Sequence, residues 1–213
     1  MMKVMNMTEK VIVTDCDGVL LNWEYAFDIW MNEKGHYKLE GSDLEYNIGK
    51  RYGISTKKGK EYIKFFNESA AIGFLPALRD AAHYVKLLHE KHGYVFDVVT
   101  SLSKNPYAAK LREKNLKKVF GKNTFRNIVC LDTGADKYDH LWLQYAGYEY
   151  FWLEDKPENA YHGKLVGMKP ILIEHGHNMD NTDFPLAKTW EDVYNIIADP
   201  IHKAYGVYGR YSK

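Results

Sequence analysis

The sequence predicts an α/β protein: a parallel sheet with helices on both faces and a small helical cap inserted after the first strand. Three observations predict it. Short, continuously apolar runs recur along the chain, as expected of parallel strands covered on both sides. Helical patterns separate those runs, and such alternation is the mark of a parallel sheet. One long segment after the first run lacks any good strand pattern.

The first run, Val11 to Thr14 (VIVT), is mostly β-branched and ends at Asp15, with a turn at Asp17-Gly18. The later runs are Val95 to Thr100, Asn127 to Leu131, Tyr150 to Leu153 and Ile171 to Ile173. After Pro76, apolar residues at Leu78, Ala81, Ala82, Val85 and Leu88 mark a helix, and Gly93 is its stop. Asn105-Pro106 opens another helix, with Ala109, Leu116 and Val119 inside and Gly121 at its end. Tyr138, Leu141, Trp142 and Tyr145 recur at helical spacing before Gly147. Thr189-Trp190-Glu191-Asp192 resembles a capping box ahead of Val193, Ile196 and Ile197. Between Asn22 and Leu75 only helices are expected, one around Tyr25 to Trp30 and one around Tyr62 to Phe66. The division expected is a core of residues 1–21 and 76–200, a helical cap of residues 22–75 and a tail of residues 201–213.

Composition narrows the function classes. The chain has 213 residues, enough for one good core and a small module beside it. Its 29 basic and 28 acidic residues leave a formal charge of +1, so no bulk field favours polymeric nucleic acid or an anionic membrane. The two cysteines, Cys16 and Cys130, form no disulfide framework and no zinc motif. No run approaches the roughly 18 apolar residues of a membrane span, and the first ten residues lack a signal peptide's apolar stretch. A cytoplasmic, soluble protein is the expectation, with no membrane partner; a homodimer is compatible with the sequence.

In an open parallel sheet, ligands bind beyond the carboxyl ends of the strands. The first strand delivers Asp15 and Asp17 there, the second Thr100 and Ser101, and the fourth Glu154 and Asp155; Asp136-Lys137 follows the third at a helix start. Each motif alone reads as a turn, a cap or a solvated helix start. All four in order, each at an element's end, read as a site for a divalent metal and a phosphate. A phosphate monoester is a dianion that repels an unassisted carboxylate. Oxygen ligands suit Mg²⁺, which screens that charge, and Lys137 adds another positive centre. Asp15 is then the nucleophile that forms an aspartyl phosphate. Asp17 protonates the leaving oxygen and later activates water, help typically worth ~10²–10⁴-fold. Thr100 and Ser101 hydrogen-bond the transferring oxygens, and Glu154 or Asp155 completes the metal shell.

These residues match a family. Asp15-Cys16-Asp17-Gly18-Val19-Leu20 resembles the first motif of haloacid dehalogenase-like hydrolases; Val99-Thr100-Ser101 resembles their second, Lys137 their third and Leu153-Glu154-Asp155 their fourth. The resemblance covers residues 11 to about 200. It implies a Rossmann-like core, Mg²⁺ and an aspartyl-phosphate intermediate. It also implies a metal held by the side chains of Asp15 and Asp155 and the backbone carbonyl of Asp17. Within the family, DCDGVLLNWE at 15–24, VVTSLS at 98–103, ADK at 135–137 and WLEDKPEN at 152–159 look most like 5′(3′)-deoxyribonucleotidases. That resemblance implies a nucleoside monophosphate as substrate, its base held by aromatic rings: Trp23, with Phe65 or Phe66 as weaker counterparts in the cap. Glu154 departs from the Asp usual there, and a longer acid reaches the metal through water.

Bland readings stand beside these. Trp23 also reads as core packing, Trp30 as an amphipathic-helix core residue and Arg51 as a solvated charge. His175 and His177 read as a polar loop, since no third ligand lies nearby in sequence. Cys16 points away from the two acids that flank it, because side chains alternate along an extended backbone. The rival functions are a phosphatase for another small phosphometabolite and a catalytically silent binding module on the same scaffold.

Overall fold

The computed structural model describes residues 9–198. One six-stranded sheet, parallel throughout, has the order β3-β2-β1-β4-β5-β6. Its strands are β1 (Lys10–Thr14), β2 (Tyr94–Ser101), β3 (Phe125–Leu131), β4 (Phe151–Glu154), β5 (Lys169–Ile173) and β6 (Leu186–Ala187). The five expected runs form the first five strands. The sixth has two residues, too few to carry any periodicity in the sequence. This is the Rossmann-like α/β arrangement.

The helices are α1 (Trp23–Asn32), α2 (Ile48–Arg51), α3 (Thr56–Asn67), α4 (Ala81–His92), α5 (Pro106–Phe120), α6 (Tyr138–Tyr145), α7 (Pro157–Leu165) and α8 (Trp190–Ala198). A short 3₁₀ turn at Ala70–Gly73 follows α3. The inner strands β1 and β4 are largely apolar because both faces are covered, whereas the edge strand β3 exposes Arg126 and Asn127. Val11 and Val13 pack with Leu141, Tyr145, Trp152 and Val166, on the side of α6 and α7. Ile12 points the other way, into a core shared with Val85, Leu88, Leu116 and Trp190 from α4, α5 and α8. Each such side chain, taken fully out of water, contributes about 1.5–3 kcal/mol.

Local signals set the helix ends. Asn105 caps α5 through its side chain, with Pro106 in the first turn. Gly93 ends α4 in the left-handed conformation. Thr189 Oγ1 accepts from the Asp192 amide at 3.3 Å, and Asp192 Oδ2 accepts from the Thr189 amide at 3.0 Å, the reciprocal bonds of a capping box. Helix α4 begins at Ala81, three residues after Leu78. Arg79 takes φ +46°, a region unfavourable for a side chain. Its guanidinium donates to the carbonyls of Lys188 and Glu174, each at 2.6 Å. Those bonds hold the segment before α8 and the end of β5 together.

Residues 22–75 contain no named strand; α1, α2 and α3 fill this insertion. Phe27 and the fully buried Phe66 pack edge to face, 5.3 Å apart, with Trp23, Trp30 and Tyr52 around them. Gly59 lets α3 lie against α2: a Cβ there would stand 2.9 Å from the Gly49 nitrogen. The tail expected at 201–213 lies outside the described residues. Among the described residues, no helix is long and apolar enough to cross a membrane.

The strand order decides where a site forms. From β1 the chain moves outward to β2 and β3, then returns to β4 on the other side of β1. Beyond the carboxyl ends of β1 and β4 there is therefore a crevice.

Candidate active site

Asp15 follows β1 directly, and its amide donates to the Leu153 carbonyl of β4 at 2.8 Å. This bond brings the two strand ends together. Asp15, Glu154 and Asp155, all buried, place one carboxylate oxygen each within 4.8 Å of one another. The Lys137 ammonium joins them, 2.8 Å from Asp15 Oδ2 and 2.6 Å from Glu154 Oε1. Burial opposes its charge, but the Asp15 and Glu154 carboxylates outweigh that and hold its pKa above the usual lysine value. Asp15 Oδ1 accepts from the Cys16 amide at 2.7 Å. Burial raises the pKa of Asp15 even with Lys137 opposing the shift.

Asp17 turns a different way. Arg112 of α5, fully buried, grips its carboxylate with both terminal nitrogens, at 2.5 and 3.0 Å. The same guanidinium donates to Cys16 Sγ at 2.9 Å, so the thiol is packed between helix and loop. Burial raises the Asp17 pKa, with Arg112 as the main opposing influence. Gly18 completes the turn at φ +75°, and a Cβ there would stand 3.0 Å from Asp155 Oδ2. Any side chain at residue 18 would crowd the carboxylates.

Glu154 takes a structural place. Its Oε1 accepts from Lys137 and from Asn159 Nδ2, at 2.6 and 2.7 Å. Its Oε2 accepts from the amides of Asp155 and Lys156, at 2.7 and 2.8 Å. Four donors meet its two oxygens, so Glu154 fixes Lys137 and the start of α7, while one of its oxygens also lies in the acid cluster. Burial raises its pKa against the pull of Lys137.

Asp155 is the opposite case. Its Oδ1 is buried without a hydrogen-bond partner among the described residues. Burial, and then the charge of Asp15, push its pKa up to about 6. Four acids meet three cations here: Arg112 grips Asp17, Lys137 bridges Asp15 and Glu154, and the Lys156 charge acts on Asp155, so the cluster keeps a net negative charge. A hard divalent cation with oxygen ligands fits this donor set, and Mg²⁺ is the natural candidate.

These groups form the floor of a cleft of about 750 Å³ between the strand ends and the helical insertion. Thr100, Ser101, Lys137 and Trp23 border it as well. Thr100 Oγ1 makes no hydrogen bond among the described residues, whereas Ser101 Oγ donates to the Ala135 carbonyl at 2.8 Å. Trp23 stacks on Phe27 with ring centroids 4.5 Å apart and donates its indole N–H to Asn67 at 2.9 Å. Phe65 and Phe66, expected against a substrate ring, lie elsewhere: Phe65 is 58% exposed outside the cleft and Phe66 is sealed beneath Trp23 and Phe27. A helix turns about 100° per residue, so two adjacent aromatics cannot share a face.

Several cleft residues escape a motif reading. Arg51, expected to be solvated, is buried and pairs with Glu24 at 2.6 Å. His175 Nε2 donates to the Gly18 carbonyl at 2.6 Å, and His177 Nε2 donates to the Asp155 carbonyl at 2.9 Å. Burial lowers both histidine pKa values, which favours neutral rings that brace the acidic loops. Asn178 donates to the Asp155 carbonyl too, at 2.7 Å. Tyr46 borders the cleft against His177, ring centroids 4.8 Å apart. The signal for the histidines was available: they follow the carboxyl end of β5, the same sheet edge that carries the other motifs.

No family model and no curated protein sequence matches the chain. Solved structures do. A haloacid dehalogenase-like family hydrolase from Streptococcus pneumoniae superposes with a TM-score of 0.58 at 15% identity, covering 86% of this chain and 96% of that one. The chain has the haloacid dehalogenase-like fold. CbbY from Rhodobacter sphaeroides, solved in complex with phosphate, shares this fold with a TM-score of 0.54 at 15% identity over 85% of this chain and 94% of that one. The HAD-hydrolase YfnB from Bacillus subtilis, bound to magnesium, gives 0.55 at 12% identity, over 88% and 98%. At such identities the likeness establishes the haloacid dehalogenase-like architecture, and the chemistry must be argued from the side chains.

Proposed function

We propose that the chain is a Mg²⁺-dependent phosphomonoesterase that works through an aspartyl phosphate on Asp15. The observation that carries this reading is the unpartnered Asp155 Oδ1 within the buried acid cluster, on the floor of a cleft that also holds Lys137. Asp15 and Asp155 would supply the carboxylates for Mg²⁺, and the Asp17 carbonyl would be a backbone ligand. Bound there, Mg²⁺ would offset the charge between a phosphate dianion and the acids.

The chain's own residues do the rest. One Asp15 oxygen attacks phosphorus as the bond from phosphorus to the leaving oxygen breaks. Asp17 gives that oxygen a proton once one of its oxygens turns from Arg112; burial favours its protonated form and Arg112 opposes it. A water then attacks the phosphorus of the aspartyl phosphate, Asp17 takes the water's proton, and Asp15 is released as phosphate forms. Lys137 holds Asp15 in place and adds positive charge beside the reacting oxygens. Thr100 offers a free hydroxyl to a phosphate oxygen; Ser101 can do so once it leaves Ala135.

For the substrate we infer a nucleoside monophosphate of the deoxy type. The wording of residues 15–24 and the Trp23 and Tyr46 rings bordering the cleft support it. Aromatic rings suit the flat face of a base. The test is a phosphate-release panel of deoxynucleotides, ribonucleotides and sugar phosphates, with Mg²⁺ and with EDTA. Deoxynucleotide turnover abolished by EDTA is expected. Faster turnover of sugar phosphates would remove the nucleotide reading alone; no release from any monoester would remove the phosphatase reading.

A further inference from the structure

One face of α3 borders the cleft. Thr56, Gly59, Lys60, Ile63, Lys64 and Asn67 all line it, at the three- and four-residue spacing of a single helical stripe. Lys60 and Lys64, both exposed, stand one turn apart on that stripe and border the same cleft as Asp15.

Their electrostatic position is unusual within the cleft. The other charged side chains that line it have neighbours: Lys137 touches Asp15, Asp17 is gripped by Arg112, Arg51 pairs with Glu24, and Asp132 has Lys104 at 3.9 Å. Lys156 is hydrogen-bonded to Tyr46, and Asp155 has His177 at 3.7 Å. Lys60 and Lys64 have no acidic or aromatic partner among the described residues. Two like charges one turn apart also disfavour the helix slightly. The scissile phosphate belongs at the floor, with Asp15 and Lys137, so it does not account for them.

We propose that Lys60 and Lys64 form a subsite for a second anionic group, phosphate or carboxylate, carried by the substrate beyond its scissile phosphate. The proposal rests on the phosphomonoesterase reading and departs from a plain nucleoside monophosphate, which carries no second anion: it narrows the substrate to a doubly anionic monoester. The cleft's volume of about 750 Å³ suits a substrate that spans from floor to roof. Trp23 and Tyr46 then flank the body between the two anions, be it a nucleoside or a small sugar.

The test compares matched pairs that differ only in the second anion. These are glycerol phosphate against phosphoglycerate, a hexose monophosphate against its bisphosphate, and thymidine monophosphate against thymidine bisphosphate. For each pair the ratio of kcat/KM is measured with Mg²⁺ in the wild type and in a Lys60→Gln/Lys64→Gln variant; glutamine keeps the helix intact. The wild type is expected to prefer the doubly anionic member of at least one pair by about tenfold, and the variant to lose that preference. Which pair shows it separates carboxylate from phosphate and sugar from nucleoside. Ratios near one in the wild type, or equal in both proteins, overturn the subsite, while hydrolysis of any member still upholds the phosphatase. If nothing is hydrolysed, the phosphatase reading fails, and calorimetric titration of the same pairs into both proteins decides the subsite by the same ratio of Kd.

Discussion

The Lys137 ammonium bridges Asp15 and Glu154, 2.8 Å from one and 2.6 Å from the other, all three buried at the floor of the cleft. One carboxylate leads to the proposed chemistry. The other is fastened to the backbone amides of Asp155 and Lys156, at the turn into α7. Lys137 thus joins the end of β1 to the end of β4 through charge as well as through the sheet. A buried charge with two partners resists displacement, because removing either leaves the rest uncompensated.

Lys137→Met therefore strips the counter-charge from two buried carboxylates. We expect a loss of about 3–5 kcal/mol in stability, read from urea unfolding at neutral pH. Turnover is expected to fall by about 10²-fold or more, because positive charge at the reacting oxygens goes with it. The stability deficit should shrink in acid, where the carboxylates protonate. A variant as stable as the wild type at neutral pH would show that the bridge has no net value.

Glu154→Gln tests the reading of that residue as a brace. The amide keeps one acceptor oxygen and points an NH₂ group at donors that formerly met a carboxylate. At least one buried donor loses its partner, costing about 1–3 kcal/mol, and more with the Lys137 charge exposed to it. Reduced stability with a weakened Asp155 loop is the expected result. An unchanged unfolding midpoint in guanidinium would mean that the four hydrogen bonds do not hold the loop.

The sheet and its acidic edge were legible because their signals are local. VIVT before Asp15 and FWL before Glu154 announce buried strands, and a parallel sheet collects the residues that follow them at one edge. The insertion was legible only as helices. Lys60 and Lys64 look like an ordinary solvated face until the cleft shows what they line. Whether Phe65 or Phe66 turns inward depends on α3 packing against Phe27 of α1, a contact between distant segments. Arg112 was invisible for the same reason: its partner, Asp17, lies 95 residues away in the chain. Glu154 was placed at the site, but its task depends on Asn159 and two amides whose orientation sequence does not encode.

Asp15→Asn keeps the shape and the acceptor for the Cys16 amide while removing the nucleophilic charge. We expect phosphatase turnover to fall by at least about 10³-fold, with circular dichroism and thermal unfolding still showing a folded protein. Acid-quenched wild type incubated with labelled substrate should retain protein-bound phosphate, and the variant none. Equal labelling of the two proteins would move the covalent step away from Asp15.

The last prediction concerns metal and pH together. The pKa of Asp155 stands at about 6 in the folded protein, above the usual aspartate value, chiefly through burial and then through Asp15. A carboxyl group raised in this direction favours the folded state most below its ordinary value, and that contribution disappears as pH rises through about 6. Protein stripped with EDTA should therefore melt at a lower temperature at pH 7 than at pH 5. A divalent cation on Asp155 reverses the sense, because it binds the ionised form and must displace a proton below pH 6. Apparent Mg²⁺ affinity should then fall about tenfold for each pH unit below 6. Added Mg²⁺ should raise the melting temperature strongly at pH 7 and little at pH 5. Equal stabilisation at both values would show that the cation does not bind through Asp155, and calorimetric Mg²⁺ titrations across the same range would give the affinities directly.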